Sequence, residues 1–443
     1  TFALAQSCDA GKYPGTVVIG DVNGDGHPDI VVASSGGAAA GSSTGGTLSV
    51  FLGNGDGTFR PAPTPAVKVP FTPDLVALAD VNRDGTLDLV VASSHGQGQV
   101  LLGNGDGTFQ DKPVSVDSGR GKSPHAVAVA DVNGDGQPDL VVGTSSGVDV
   151  LLNTTAPGAA TPSFAAPQTF DGGKSVTALA VADLNGDGQP DLVVGTSSGV
   201  DVLLNTTAPG AATPSFGPAQ NFDAGASVAA LAVADVNGDG KPDLVVGTSS
   251  SSSSSPYSYS YYGAPSSYYG SPSRGVDVLL NTTVKGATTV AFGAPQTFDA
   301  GASATSVVAA DLSGATFADG TPKLDLVVAT SGGVDVLRNT TAQGAATASF
   351  AAPQTYDGGK SVTAVAMADV NGDGRPDLVV ATSSMNAYGG PSGGVDVLLN
   401  KGDGTFGAAQ TFDTGSPPKA VAVADVNGDG RPDIVVGAYS FGS

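Results

Sequence analysis

The stretch Asp183-Leu-Asn-Gly-Asp-Gly-Gln-Pro-Asp191 places oxygen-bearing side chains at its first, third, fifth and ninth positions and a glycine at its sixth. Oxygens at alternating positions of a tight loop are the ligands that a hard cation such as Ca²⁺ requires. The same nine-residue pattern begins again at Asp21, Asp80, Asp131, Asp235, Asp369 and Asp425. A longer, degenerate version runs from Asp311 to Asp325. The sequence therefore predicts a repeated architecture with a metal loop in each intact repeat.

The charge of the chain is acidic and comes from one residue type. The 443 residues include 18 Lys and Arg and 41 acidic residues, all of them Asp, which gives a formal net charge of −23. Asp favours turns and cation-binding loops over helices, so we expect this charge in loops. It argues against nucleic acid and anionic membrane surfaces as partners. No apolar run is long enough to span a membrane.

The spacing of the loops predicts the fold. Asp80, Asp131, Asp183 and Asp235 follow one another at intervals of 51 or 52 residues, and the wider gaps contain insertions. A period near 50 with strand-type patterning is typical of propeller blades and not of helical repeats. We therefore expect an all-β protein, a β-propeller of four-stranded antiparallel blades.

Each repeat contains four predicted strands. In the repeat around Asp183 these are residues 176–182 (A), 192–195 (B), 200–204 (C) and 216–222 (D). β-Branched residues fill them, and Gly, Ser and Asn separate them. In an antiparallel blade the A–B loops share a face with the C–D hairpins, so all metal loops should lie on one face. The main insertions lie between strands B and C, and should cluster on the opposite face; they are residues 34–46, 249–274 and 383–394.

The two ends of the chain predict how the ring closes. Residues 1–9 align with the end of a repeat, so they should form a strand D in which Cys8 packs as a strand residue. Residues 420–438 supply a strand A and a strand B. We expect residues 1–443 to form a single propeller of eight blades, with seven as the second choice. The closing blade, shared between the two ends, should lack strand C. It would be three-stranded, take a strand from another chain, or be completed by sequence beyond residue 443.

These repeats resemble the VCBS/FG-GAP family, which includes the Ca²⁺-binding blades of the integrin α-subunit propeller. The residues that carry the resemblance are Asp-Val-Asn-Gly-Asp-Gly-x-Pro-Asp-Leu-Val-Val, as at Asp131–Val142, and Leu-Leu-Gly-Asn-Gly-Asp-Gly-Thr-Phe, as at Leu101–Phe109. The resemblance covers essentially the whole chain. It implies a Ca²⁺-stabilised extracellular or cell-surface propeller, used for adhesion, for recognition, or as a scaffold beside an enzyme domain. It does not imply a single activity.

The resemblance also implies which atoms bind metal: side-chain oxygens at positions 1, 3, 5 and 9, and the backbone carbonyl at position 7. About seven Ca²⁺ ions are expected. Asp319 and Asp325 could rescue the degenerate sixth loop, but we do not expect that loop to bind metal. The implied ligands are Asp21, Asn23, Asp25, His27 and Asp29; Asp80, Asn82, Asp84, Thr86 and Asp88; Asp131, Asn133, Asp135, Gln137 and Asp139; Asp183, Asn185, Asp187, Gln189 and Asp191; Asp235, Asn237, Asp239, Lys241 and Asp243; Asp369, Asn371, Asp373, Arg375 and Asp377; and Asp425, Asn427, Asp429, Arg431 and Asp433.

Three other motifs depart from the metal loops. Asn-Gly-Asp-Gly segments such as Asn104–Phe109 are interpreted as C–D hairpin turns, since Asn-Gly and Asp-Gly supply the positive φ that such turns need. Four repeats replace that segment with Asn-Thr-Thr on a predicted surface turn, at Asn153, Asn205, Asn281 and Asn339. It is a glycosylation sequon, but turn chemistry in an unglycosylated protein is the favoured alternative. The Ser/Tyr-rich insertion is either a flexible insertion or the candidate partner contact, through Tyr257, Tyr259, Tyr261, Tyr262, Tyr268 and Tyr269.

The sequence gives little support for catalysis. His27, His95 and His125 lie in unrelated contexts, and no nucleophile motif accompanies them. We expect a secreted, non-enzymatic module for adhesion, structure or assembly that binds a protein or glycan ligand. Self-association by strand addition at the closing blade is the sharper hypothesis. The alternatives are a carbohydrate-binding lectin, which the absence of Trp makes less favourable, and a non-catalytic scaffold of a polysaccharide-acting enzyme.

Overall fold

The structure is a computed structural model of the chain. It describes residues 6–35, 45–93, 95–111, 113–116, 122–171, 173–222, 227–249, 275–299, 303–357, 360–385 and 391–438. These residues contain thirty β-strands, and the structure shows no helix among them that is long and apolar enough to cross a membrane. Most of the Ser/Tyr-rich insertion, with its six predicted contact tyrosines, lies outside the described residues.

Seven four-stranded antiparallel sheets, each built from four consecutive strands, are numbered here as blades 1 to 7. Blade 1 contains β1 (Pro14–Gly20), β2 (Asp29–Ser34), β3 (Gly46–Gly53) and β4 (Phe59–Val69). Blade 2 contains β5 (Leu75–Ala79), β6 (Asp88–Ala92), β7 (Gly98–Leu101) and β8 (Val114–Ser115). Blade 3 contains β9 (Pro124–Ala130), β10 (Asp139–Thr144), β11 (Gly147–Leu151) and β12 (Gln168–Phe170).

The remaining strands repeat this order. Blade 4 contains β13 (Val176–Ala182), β14 (Asp191–Thr196), β15 (Gly199–Leu203) and β16 (Gln220–Phe222). Blade 5 contains β17 (Ser227–Ala234), β18 (Asp243–Ser249), β19 (Gly275–Leu279) and β20 (Gln296–Asp299). Blade 6 contains β21 (Ala304–Ala310), β22 (Asp325–Thr330), β23 (Gly333–Leu337) and β24 (Gln354–Tyr356). Blade 7 contains β25 (Ser361–Ala368), β26 (Asp377–Met385), β27 (Pro391–Leu398) and β28 (Gln410–Asp413). A two-stranded sheet follows, β29 (Pro418–Ala424) and β30 (Asp433–Ala438).

The apolar core lies between neighbouring blades. In blade 4, Val193 of strand B pairs with Val202 of strand C, and both side chains are fully buried. They pack against Val228 and Leu244 of blade 5. Strand A is different: its small residues are only half-buried. Each blade therefore buries both faces of its middle strands against its two neighbours, which is why strand B is apolar at nearly every position.

The two-stranded sheet closes the ring. Val435 packs with Ile30 and Phe51 of blade 1, whereas Val436 packs with Val379 and its neighbours in blade 7. The A and B strands predicted for residues 420–438 are therefore confirmed, and they lie between the last and the first four-stranded blades.

The predicted blade count is not supported. The structure shows seven four-stranded blades, which was the second choice, because the closing position holds two strands in the described part of the chain. Residues 6–9 form no strand, although residues 1–9 were predicted to supply strand D. Cys8 is exposed, so its predicted packing within a strand is wrong. Gln6 instead reaches blade 1, where its side-chain amide exchanges two hydrogen bonds with the backbone of Phe59.

Candidate metal loops and the contacts between blades

The first residue of each acidic loop organises the backbone of that loop. Asp183 follows strand A, and its Oδ1 accepts hydrogen bonds from the N–H groups of Gly186 (2.7 Å) and Asp187 (3.1 Å). Its Oδ2 accepts from the N–H of Gly188 at 2.8 Å. Both glycines have positive φ, 71° and 90°, a conformation that favours glycine. The Gly-Asp-Gly spacing thus lets the chain wrap around one carboxylate.

The third and fifth positions face the same short segment of backbone. Asn185 Oδ1 accepts from the N–H of Asp187 at 3.0 Å, and Asp187 Oδ1 accepts from the N–H of Gln189 at 2.8 Å. Side-chain oxygens from positions 1, 3 and 5 therefore converge on one turn. A donor set made only of oxygens fits Ca²⁺ in type and does not favour softer metals.

The ninth residue of the loop is buried and connects two parts of its own blade. Asp191 is fully buried at the start of strand B. Its Oδ2 accepts from the N–H of Leu184 in the loop, and its Oδ1 accepts from the N–H of Asn205 at the end of strand C, both at 2.8 Å. Burial raises the pKa of this carboxyl to about 6, with a smaller contribution from the charges of Asp187 and Asp183. The ninth carboxylate thus joins the A–B loop to the C–D hairpin of its own blade.

In all seven four-stranded blades the ninth residue accepts both hydrogen bonds, one from an N–H of the loop and one from the N–H at the end of strand C. The residue that donates to Oδ1 is Gly53, Gly103, Asn153, Asn205, Asn281, Asn339 or Asn400, paired in that order with Asp29, Asp88, Asp139, Asp191, Asp243, Asp325 and Asp377. Within the described residues, no group of three or more Asp, His or Cys side chains lies close enough to hold a metal ion. The structure therefore places positions 1, 3 and 5 together and turns position 9 towards backbone N–H groups. Metal binding by the seven loops stays a prediction.

The degenerate sixth loop keeps only part of this arrangement. Asp325 accepts from the N–H groups of Leu312 (3.2 Å) and Asn339 (2.7 Å), so the link within the blade is preserved. Asp319 lies on the surface, where Gln343 Nε2 donates to it at 2.6 Å. Asp325 thus has the structural role of a ninth residue, whereas Asp319 lies outside the turn that Asp311 organises.

The sequon asparagines are buried, whereas the sequence analysis expected them on surface turns. Asn205 is 1% exposed. Its Nδ2 donates to the carbonyl of Val132, in the loop of the preceding blade, at 2.8 Å and to that of Pro190 in its own blade at 3.1 Å. The same pair of bonds is made by Asn153, Asn281, Asn339 and Asn400. Because Nδ2 is the atom that would carry a glycan, this position does not support glycosylation of the folded protein.

A long hairpin covers the acidic loop of the preceding blade. In the hairpin that follows Asn205, the N–H of Gly210 donates to the carbonyl of Asn133 at 2.7 Å. In return, Asn133 Nδ2 donates to the carbonyl of Ala211 at 3.1 Å. Matching contacts cover the loops that begin at Asp80, Asp183 and Asp235. The third loop residue, predicted only as a ligand, therefore also links two blades.

The Asn-Gly-Asp-Gly segments form short C–D hairpins, as interpreted from the sequence. The backbone N–H of Asn104 donates to the backbone carbonyl of Thr108 at 2.9 Å. Asp106 Oδ1 accepts from the N–H of Thr108 at the same distance. The carboxylate of this second motif thus stabilises its own turn.

A set of ion pairs away from the loops was not predicted from the sequence; in each, a partly exposed Lys contacts a buried Asp of strand C. Lys174 lies just before strand A of blade 4 and contacts Asp201 of strand C at 2.6 Å and Asp171 at 3.6 Å. Lys360 makes the equivalent contact with Asp396 at 2.6 Å. Burial, and then the charge of Asp201, raise the pKa of Asp171. The available signal was an Asp in an otherwise apolar strand C together with a Lys before strand A.

Comparisons with known proteins agree with this geometry. The sequence profile of the FG-GAP-like repeat matches residues 21–91, 80–142, 131–194, 183–246, 318–380 and 385–436, and that of the FG-GAP repeat matches residues 227–270. These matches span well over half of the chain. The chain belongs to the FG-GAP repeat family. No curated protein sequence matches it.

Two solved structures of distant proteins have a fold similar to that of this chain. One is a lectin of Agrocybe aegerita, described for its specific recognition of non-reducing terminal N-acetylglucosamine; it is 20% identical, with a TM-score of 0.50 over 91% of this chain and 90% of the lectin. The other is the V. cholerae biofilm matrix protein Bap1; it is 16% identical, with a TM-score of 0.51 over 96% of this chain and 84% of Bap1. At these identities the likeness concerns the fold alone.

Replacing a sequon asparagine should weaken the contact between FG-GAP blades. We expect Asn205→Ala to lower the free energy of unfolding by about 2–4 kcal/mol, because two hydrogen bonds are lost and buried carbonyls remain. Urea denaturation of the two proteins measures the difference. The control is Thr206→Ala, which removes an exposed hydroxyl whose hydrogen-bond partner is the surface hydroxyl of Ser215, and it should change stability by less than about 0.5 kcal/mol. Equal effects of the two substitutions would contradict the assignment.

The buried ninth residues predict an unusual pH dependence for the metal-free protein. Burial raises the pKa of Asp88, Asp139 and Asp191 to about 6 and that of Asp243 to about 7. An acid with a raised pKa binds its proton more tightly in the folded chain, so stability should increase as the pH falls through these values. Thermal unfolding in a chelator should show a higher melting temperature at pH 5 than at pH 8.

The same measurement with excess Ca²⁺ serves as the comparison. There we expect the opposite trend, because protons compete with the metal for the loop carboxylates. If the melting temperature in the chelator falls as the pH falls, the prediction is wrong. The ninth residues would then be ionised in the metal-free protein, with their negative charges stabilised by the backbone hydrogen bonds they accept.

Proposed function

We propose that this FG-GAP propeller is an extracellular, calcium-stabilised module for adhesion, structure or assembly, and that it is not an enzyme. The observation that carries the proposal is the repeated link between blades. In blades 3 to 7 a buried asparagine at the end of strand C donates its Nδ2 to a loop carbonyl of the preceding blade. A rigid ring of linked blades suits a protein that holds a partner.

Calcium fits the chemistry of the seven intact loops. Positions 1, 3 and 5 would supply side-chain oxygens, and position 7 its carbonyl. The ninth carboxylate would remain beside them and keep its backbone bonds, since each of its oxygens has a second lone pair. Seven divalent ions would change the formal charge from −23 to about −9. Metal would thus relieve repulsion within each loop and hold the turn that links neighbouring blades.

An extracellular location follows from the same loops. Weak oxygen sites are filled where Ca²⁺ is near millimolar, as it is outside cells. The likeness of the fold to Bap1, a biofilm matrix protein, supports a structural or adhesive role in that setting. The proposed partners are proteins or glycans at a cell surface.

A lectin is the second candidate. The structural likeness to the A. aegerita lectin favours it. A glycan array probed with the whole chain distinguishes the two candidates, since a module that binds only protein should leave every glycan spot empty.

Chelation should destabilise the protein. An ion that binds only the folded chain stabilises it by about 2.7 kcal/mol when its free concentration is one hundred times its dissociation constant. We therefore expect EGTA to lower the melting temperature followed by circular dichroism, and added Ca²⁺ to restore it. Mg²⁺ is the control and should restore much less, because it prefers a stricter octahedral site. An unfolding curve that EGTA leaves unchanged would rule out calcium as the stabilising ion.

Self-association by strand addition remains a prediction. If a second copy supplies the strand, sedimentation velocity with excess Ca²⁺ should show a dimer whose fraction rises with chain concentration. A chain that sediments as a monomer throughout contradicts self-association but leaves binding of other partners intact.

A further inference from the structure

The lysine before strand A of blade 4 contacts two carboxylates at once. The Nζ of Lys174 lies 2.6 Å from Oδ2 of Asp201, in strand C, and 3.6 Å from Oδ1 of Asp171, which follows strand D of blade 3. The side chain of Asp201 is fully buried, that of Asp171 is 8% exposed, and that of Lys174 is 37% exposed. An amine, a buried carboxyl and a second carboxyl are thus held together.

The amine and the buried carboxyl are close enough to react. A nitrogen 2.6 Å from a carboxylate oxygen lies about 3–3.5 Å from the carboxyl carbon, because the C–O bond is about 1.2 Å long. Reacting atoms at that separation form a near-attack arrangement, for which intramolecular reactions reach effective molarities of about 10⁵–10⁸ M. A condensation that is unfavourable between separate molecules in water can therefore proceed within the folded chain.

The other groups around Asp201 suit amide formation. Asn221 Nδ2 donates to Asp201 Oδ1 at 2.8 Å. This oxygen would carry the negative charge of a tetrahedral intermediate, which a fixed N–H donor stabilises. Asp171 supplies an acid, because burial, and then the charge of Asp201, raise its pKa. Its Oδ2 is buried and has no hydrogen-bond partner among the described residues.

Blade 7 repeats the arrangement. The Nζ of Lys360 lies 2.6 Å from Oδ2 of Asp396 and 3.3 Å from Oδ1 of Asp357. The hydroxyl of Thr411 donates to Asp396 Oδ1, in the place that Asn221 has in blade 4. Burial, and then the charge of Asp396, raise the pKa of Asp357. The same four groups therefore recur in two blades that are not neighbours.

We propose that the lysine and the strand C aspartate condense to an amide bond in blades 4 and 7. The lone pair of Nζ attacks the carboxyl carbon, a C–N bond forms, and the bond from that carbon to Oδ2 breaks. The ammonium gives two protons to Oδ2, which leaves as water, and keeps the third on the amide nitrogen. In blade 4 Asp171 takes the first proton from Nζ and delivers it to Oδ2. The reaction consumes an ion pair, so the net charge is unchanged.

The bond would form slowly and would strengthen the blade. Burial lowers the pKa of Lys174, but the hydrogen bond and the charge of Asp201 outweigh this effect and raise the pKa overall. The neutral amine is therefore a minority form, and we expect the amide to accumulate over hours after folding. It would join the segment before strand A to strand C of the same blade, across strand B, and so hold the sheet together when the chain is stretched.

Other blades lack part of the site. In blade 3 the Nζ of Lys122 contacts Asp149, and among the described residues no second carboxylate lies within ion-pair distance of it. Blades 5 and 6 keep the strand C aspartate but have Ala226 and Ala302 where blade 4 has Lys174, nine residues before the acidic loop. These three blades are internal controls, and their strand C aspartates should remain unmodified.

Intact-mass spectrometry of the whole purified chain, incubated at neutral pH, tests the proposal. We expect a mass below that of the sequence by two water molecules. A sample kept unfolded in urea should retain the full mass, because the reacting groups are then apart. Trypsin should fail to cleave after Lys174 and Lys360, since an amide-bonded lysine is no longer recognised. Fragmentation of the peptides should find these lysines joined to Asp201 and Asp396.

Matched variants identify the groups that react. Lys174→Arg keeps the charge but cannot form this amide, so that variant should lose one water fewer. Asp171→Asn should reduce the yield of the blade 4 bond at least about tenfold, because the proton relay is lost. The blade 7 bond in the same molecule then shows that the variant has folded. Lys285→Arg, at an exposed position of a hairpin, is the control and should lose both waters.

Two results would overturn the proposal. One is a folded chain that keeps the full sequence mass after extended incubation. The other is a loss of water that persists when Lys174→Arg and Lys360→Arg are combined, because an Asp-Gly segment of an acidic loop also loses water when it closes to a cyclic imide. Neither readout depends on calcium, so this proposal and the calcium-stabilised module fail separately.

Discussion

The structure depends on a buried carboxylate that accepts two backbone hydrogen bonds. In each four-stranded blade the ninth loop residue, Asp191 in blade 4, binds one N–H in the A–B loop and one at the end of strand C. A buried carboxylate without such donors would be costly, so the two N–H groups and the Asp require one another. This constraint fixes where strand B begins and where strand C ends, and hence the register of the middle of the blade.

The hydrogen bonds between blades depend on the same buried carboxylate. Asn205, whose N–H is held by Asp191, uses its side chain to reach the loop of the preceding blade. The hairpin that follows covers the same loop through Asn133. Stability in such an array is largely a sum over neighbouring pairs, so an ion in one loop would strengthen the contact between two blades. The acidic loops are therefore part of the framework, and a metal there would be structural.

Function is expected where this pattern of links changes. The closing sheet has the loop, with Asp433 and Asn427, but has no strand C in the described residues to complete it. The three insertions predicted between strands B and C, at residues 34–46, 249–274 and 383–394, each contain residues outside the described ranges. The regular blades hold these variable parts in place, which is how a repeat fold can serve unrelated partners.

The sequence by itself determined the repeat, the strand order and the family, because a nine-residue loop and an alternating apolar pattern are local signals that recur at a fixed period. It also placed the acidic loops between strands A and B, since each nine-residue pattern directly follows one strand and leads into the next. Only the tertiary structure decided that Asn205 is buried between blades, that Cys8 is exposed, and that the closing position has two strands in the described chain. Asn205 contacts Val132, 73 residues earlier in the chain, and Val435 of the closing sheet packs on Ile30 of blade 1. Contacts over such separations leave no periodic trace in the sequence.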